Sequence, residues 1–124
     1  MTIRGIRGAT TVDVDEAETI IAATRELLEQ IAAANRLNTE DVASVIFTAT
    51  QDLGAVYPAR AAREMGWVHV SLLCMQEMAV VDSLPRCIRV LVLWNTDLPQ
   101  SQIRHVYLGQ ARALRPDLTQ EVEP

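Results

Sequence analysis

The segment at residues 87–94, CIRVLVLW, limits the possible folds of this chain more than any other. It is apolar at both alternating positions apart from Arg89, and it is rich in branched side chains. A strand of that composition belongs in the middle of a sheet with cover on both faces. Other segments supply its neighbours. Residues 42–50, VASVIFTAT, read as a second buried strand and residues 67–74 as another. Residues 2–10 form a first strand interrupted by Gly5 and Gly8, and residues 104–114 a fifth with a bend or bulge at Gly109.

Between the first two strands, Asp13 followed by Glu16 reads as a capping box. Ile20, Ile21, Thr24, Leu27, Leu28 and Ile31 then recur at helical spacing up to about Asn35 or Arg36. Asn38 and Asp41 suggest a helical turn, and residues 51–56 a loop. Pro58 suits the first turn of a short helix carrying Arg60, Ala61, Ala62, Arg63 and Met65, which Gly66 stops. MQEMAVVDSLPR is an irregular connection with one helical turn, and residues 115–124 are a polar C-terminal tail. The expected class is therefore α/β, a five-stranded sheet with one long helix. Such a helix covers one face of the sheet, so the other needs a second subunit. A closed symmetric oligomer with sites at its seams meets that need.

At 124 residues the chain is expected to be a single domain, and 49% hydrophobic residues predict a globular fold. A net charge of -5 argues against nucleic-acid and anionic-lipid partners. The N-terminal MTIRGIRGATTV has no long apolar run, and no segment reaches membrane-spanning length. Cys74 and Cys87 lie in apolar surroundings and fit no disulfide framework. Together these predict a soluble cytoplasmic protein with reduced thiols. All basic residues are arginines, whose rigid fork of donors suits carboxylates and phosphates.

No GxGxxG or phosphate loop is present, and His69 and His105 belong to no metal spacing. Arg89 is the main anomaly: a guanidinium in an apolar strand must find an anion. It is either a structural partner of Glu77 or an interface carboxylate, or a cation held for a ligand oxygen. Arg4 and Arg7 face opposite ways; Arg7 is the better cleft candidate, with Gly8 leaving room beside it. Arg60 and Arg63 share one helix face, which is either solvated or ligand-facing. Tyr57 is wall or interface aromatic, Glu77 can accept a hydroxyl proton, Cys74 donates weakly or fills space, and Tyr107 can donate to a carboxylate.

The succession RGIRGATTV, YPARAAREMG, CMQEM, CIRVLVLWNTD and IRHVYLGQARALRPDL resembles the monofunctional, trimeric chorismate mutases of the Bacillus type, in order from the start to about residue 118. The resemblance implies a mixed five-stranded sheet and a homotrimer forming a pseudo-α/β barrel with interfacial sites. It implies no cofactor, no metal, and the rearrangement of chorismate to prephenate. It assigns Arg89 to the ether oxygen, Arg7 and Tyr107 to the enolpyruvyl carboxylate, and Glu77 to the ring hydroxyl, supported by Cys74 and the backbone at Leu73. Tyr57, Ala59, Arg60 and Arg63 would come from an adjacent subunit, and Leu114 and Arg115 would begin a flap. The chain departs from the family pattern at Tyr57, Arg60 and Leu73, where phenylalanine, lysine and threonine are common. A trimeric imine hydrolase or deaminase would share the fold but not CMQE together with RGIRGAT. A non-catalytic anion-binding oligomer would share the pocket.

Overall fold

A computed structural model describes residues 2–114, so the expected tail and Arg115 lie outside the described residues. Strand β4 (Cys87–Asn95) is central, as its composition requires. It pairs antiparallel with β1 (Ile3–Thr11) on one side and β2 (Val42–Ala49) on the other. β3 (Ser71–Gln76) adds parallel to β2 and β5 (Val106–Tyr107) parallel to β1, giving the order β3-β2-β4-β1-β5. The described residues thus form the mixed five-stranded sheet that the sequence leads one to expect.

Alternation sorts this sheet into two different faces. Ile6, Val45, Phe47, Val90, Val92 and Trp94 point to one side, where Leu27, Leu28 and Ile31 of helix α1 (Ala17–Asn35) close over them. Ala59 and Ala62 of the short helix α2 (Ala59–Glu64) join the same core. Full burial of each large aliphatic or aromatic side chain here stabilises by about 1.5–3 kcal/mol. The register puts Ser44, Ile46, Leu91, Leu93, Arg7 and Gly5 on the opposite side. At one end of that side the 3-10 helix at Gly109–Ala113, with Leu84 and Leu114, covers Ala9, Cys87 and Tyr107, and no described element covers the rest: Leu73 remains 53% and Met75 48% exposed. Within one chain β4 is therefore fully covered on one face and, on the other, only at its start around Cys87.

Gly8 corrects an expectation. A Cβ there would stand 2.8 Å from Ile31 Cδ1 and 3.2 Å from both Leu27 Cδ1 and the Val106 carbonyl. The glycine lets α1 approach β1 and makes no room in a cleft. Gly8→Ala is expected to destabilise the fold by about 1–3 kcal/mol through overpacking, read from urea unfolding.

Three boundaries also differ from expectation. Helix α1 starts at Ala17 with Glu16 as N-cap and no side-chain cap, so Asp13 and Glu16 form no capping box. The carboxylate of the intervening Asp15 instead accepts the N–H groups of Gly54 and Ala55 at 3.0–3.1 Å and ties down the loop before α2. β3 begins at Ser71 because Gly66, at φ +92°, turns the chain out of α2, and the Trp67 N–H bonds back to Ala62 O at 3.0 Å. Trp67 and Val70 enter the core from this connection. Residues 77–86 contain no helical turn, only a bend closed by Ser83 N–H to Val80 O at 3.1 Å.

The fifth strand is only two residues long, where eleven were expected. The Asn35 side chain takes both backbone groups of Arg104, donating to its carbonyl at 2.9 Å and accepting its N–H at 3.0 Å. His105 Nδ1 accepts the Arg7 N–H at 2.9 Å. Side chains thus replace the ladder before Val106. After Tyr107 the chain turns through Gly109, at φ +57°, into a 3-10 helix at Gly109–Ala113.

Candidate active site

Arg89 and its neighbours gather on the uncovered face. Ala9 lies opposite Arg89 on β1 and Thr48 opposite it on β2. Arg7, two residues before Ala9, projects on the same side. Tyr107 pairs with Ala9 in parallel register and is buried against Ala9, Cys87 and Ala111, with Leu84 and Leu114 packed around them. β3 then delivers Glu77, whose N–H bonds to Ala49 O at 2.9 Å as the chain crosses the end of β2. Arg7, Glu77, Arg89, Tyr107 and Leu114 are thereby set on the same side of the sheet.

The Arg89 guanidinium and the Glu77 carboxylate form an ion pair, with Nε 3.2 Å from Oε1 and side chains 43% and 25% exposed. The two groups are close but poorly aligned: Arg89 Nε is buried and makes no hydrogen bond. Glu77 Oε1 instead accepts a hydrogen bond from Thr48 Oγ1 at 2.7 Å. Arg89 is therefore a partly open cation beside Glu77 in the single chain. Cys87 beside it is buried, and burial pushes its thiol above the ordinary value against the opposing pull of Arg89.

The remaining candidates lie elsewhere. Cys74 pairs with Phe47 and points to the helical side of the sheet, away from Glu77, where it packs against the core. It lines a cleft of about 580 Å³ with Thr48, Met75 and Tyr57, whose ring is 71% exposed. Ala59 is buried on α2, Arg60 pairs with Glu64 at 2.9 Å, and Arg63 is exposed. Helix α2 packs on the α1 side of the sheet while Arg89 and Arg7 project from the other. Within one chain these two groups do not close around a common ligand.

The start of β4, which sets the position of Arg89, has its own clamp. Asp52 accepts the Arg86 N–H at 2.9 and 3.1 Å and the Thr50 hydroxyl at 2.5 Å, and that hydroxyl accepts the Cys87 N–H at 3.0 Å. Arg86 adopts φ +48° and donates Nε to Val12 O at 3.0 Å. Desolvation of Asp52 works to raise its pKa, but the hydrogen bonds from Thr50 and Arg86 prevail and hold the carboxyl below the usual 3.8. A carboxyl depressed in the fold contributes stability above its unfolded value and loses it as pH falls through the folded one. The stability gap between wild type and Asp52→Asn is therefore expected to be constant from about pH 5 upward and to close below about pH 4, as followed by urea unfolding at each pH.

The sequence matches the family "Chorismate mutase type I" over residues 3–118. The chain belongs to the type I chorismate mutases. Chorismate mutase AroH of Bacillus subtilis (strain 168) is 53% identical over 120 residues, covering 96% of this chain and 94% of that protein. Chorismate mutase AroH of Thermus thermophilus is 56% identical over 117 residues, covering 94% and 96% respectively. Among solved structures, a chorismate mutase from Clostridium thermocellum superposes with a TM-score of 0.87 at 48% identity, over 89% of this chain and 98% of that one. Family membership removes the imine-hydrolase reading. Among the described residues no helix is long and apolar enough to cross a membrane, and no cluster of His, Cys, Asp and Glu is suited to a metal.

Sequence reasoning passed over Thr48, Asn35 and the Asp52 clamp. Only the sheet register shows that Thr48 faces Arg89, and nothing in VASVIFTAT marks one hydroxyl as special.

Proposed function

We propose that chorismate binds on the uncovered sheet face around Arg89, Glu77, Arg7 and Tyr107, in a homotrimer whose adjacent subunit closes each site with Tyr57, Ala59, Arg60 and Arg63. The protein is a chorismate mutase, an isomerase that converts chorismate to prephenate. In this intramolecular rearrangement the ether C–O bond breaks as a C–C bond forms. The side chains need only compact the substrate and match its changing charge.

Arg7 and Tyr107 serve the enolpyruvyl carboxylate, and the α2 arginines the ring carboxylate, which holds the chain ends in reacting geometry. Glu77 accepts the ring hydroxyl. Negative charge grows on the ether oxygen as the bond stretches, and a fixed Arg89 guanidinium binds that state more tightly than the ground state. Leu73 and Cys74 contribute through β3, and Leu114 with Arg115 through the segment that follows the 3-10 helix. Assembly into a pseudo-α/β barrel would cover Ile46, Leu91, Leu93, Leu73 and Met75, and among the described residues no membrane-spanning helix stands against a cytoplasmic location.

The observation that carries this reading is the placement of Arg89, Glu77, Arg7 and Tyr107 on one side of the sheet, opposite to α2 and covered by the chain only around Tyr107. Purified protein incubated with chorismate is expected to consume it and release prephenate in equal amounts. A correctly assembled protein that leaves chorismate unchanged at the uncatalysed rate would refute the function.

A further inference from the structure

We infer that Thr48 is a positioning residue for Glu77, one that divides the two carboxylate oxygens between protein and ligand; the inference rests on the ligand-facing role of Glu77 given above. Thr48 Oγ1 donates to Oε1 at 2.7 Å, and the Glu77 backbone is held separately by its N–H bond to Ala49 O at 2.9 Å. Thr48 stands directly across the ladder from Arg89. The hydroxyl, the carboxylate and the guanidinium thus share one small area.

Left to themselves, an arginine and a carboxylate at this distance align as a two-point pair, with parallel N–H to O bonds. Here they do not: Nε approaches Oε1 to 3.2 Å yet lies outside hydrogen-bonding geometry. The Thr48 hydroxyl accounts for the misalignment, because it holds Oε1 where the guanidinium cannot meet it squarely. Two consequences follow for the reaction. Oε2 is kept for the ring hydroxyl, and the terminal nitrogens of Arg89 are kept for the ether oxygen.

Substitutions of Thr48 that keep its shape are expected to spare the fold. Thr48 is a β-branched residue on the bare face, and valine fits a strand position of that kind as well as threonine does. Thr48→Val removes the hydroxyl with the shape conserved, while Thr48→Ser keeps the hydroxyl and drops the methyl. The valine variant is expected to lose about ten- to a hundredfold in kcat/KM, the cost of a loosened reacting geometry, with assembly and melting temperature close to wild type. The serine variant is expected to remain within about threefold of wild type, as its hydroxyl can make the same bond. In a Glu77→Ala background Thr48→Val is expected to cost nothing further, since it acts through Glu77.

A crystal structure of the valine variant gives a readout that does not depend on catalysis: the Glu77 carboxylate is expected to rotate onto Arg89 with both oxygens engaged. If the valine variant fails to assemble, Thr48→Ala against Thr48→Ser makes the same comparison. The inference is overturned by a valine variant as active as wild type, by a serine variant as impaired as valine, by an equal loss in the Glu77→Ala background, or by an unmoved carboxylate. Wild-type protein without mutase activity would overturn the function instead, and the crystallographic result would still decide whether Thr48 holds Glu77.

Discussion

Arg89→Ala is expected to lower kcat by at least about a hundredfold, and nearer a thousandfold, with KM changed far less. Removing one donor from a preorganised charge-stabilising site carries a penalty of about that size. In the proposed role the guanidinium would meet the ether oxygen most strongly when that oxygen carries charge, so the loss would fall on kcat, since an interaction confined to the transition state leaves ground-state binding largely intact. Arg89→Lys retains a point charge but not the planar fork, and is expected to recover only part of the loss. Steady-state kinetics with sedimentation and circular dichroism on each variant provide the check. A variant that keeps its assembly and its kcat would remove Arg89 from the chemistry.

If the proposed trimer holds, Leu91→Glu is expected to break it into monomers and to abolish turnover with it. Leu91 lies on the sheet face opposite α1, away from the end that the 3-10 helix covers, beside Ile46 on β2 and across from Arg7 on β1. A carboxylate enclosed there by a neighbouring subunit would lose its hydration without a designed partner, at an effective cost of several kcal/mol. Symmetry repeats that cost once per subunit. Arg25→Glu supplies the control, since Arg25 is exposed on α1 and paired only with Glu29 of the same helix at 3.2 Å. Sedimentation equilibrium on both variants separates the outcomes: the control keeps the wild-type mass, and Leu91→Glu falls to that of one chain. An unchanged mass for Leu91→Glu would place the subunit interface elsewhere.

The sheet and its central strand were legible because CIRVLVLW carries its requirement in its own composition, and α1 because its apolar residues recur at a helical period. The missing cover on one face was also foreseeable, by counting helices against sheet faces. What could not be read depended on contacts distant in sequence. Residues 104–114 have strand-like composition, yet Asn35 and His105 occupy the hydrogen bonds that would have lengthened β5. Gly8 suggested an opening, whereas its space is filled by Ile31 and Leu27 from α1. At the site, Arg89 and Glu77 were singled out as a charge that needs a partner and an acceptor near it, and they do meet. Cys74 was placed with Glu77 by the family resemblance; within one chain the register sets it on the other face of the sheet.

The proposed division of the site between subunits of a trimer admits a direct test by mixing. Arg89→Ala lacks the cation on the sheet face, and the double variant Arg60→Ala with Arg63→Ala lacks those on α2; each alone is expected to be nearly inactive. Unfolded together in equal amounts and refolded, the two form mixed trimers. Random assembly then leaves about a quarter of the seams with both partners intact. The measurement is chorismate consumption by the refolded mixture: recovery of about a quarter of wild-type activity is the predicted result, and a mixture no more active than its two components would contradict a site shared between neighbouring subunits.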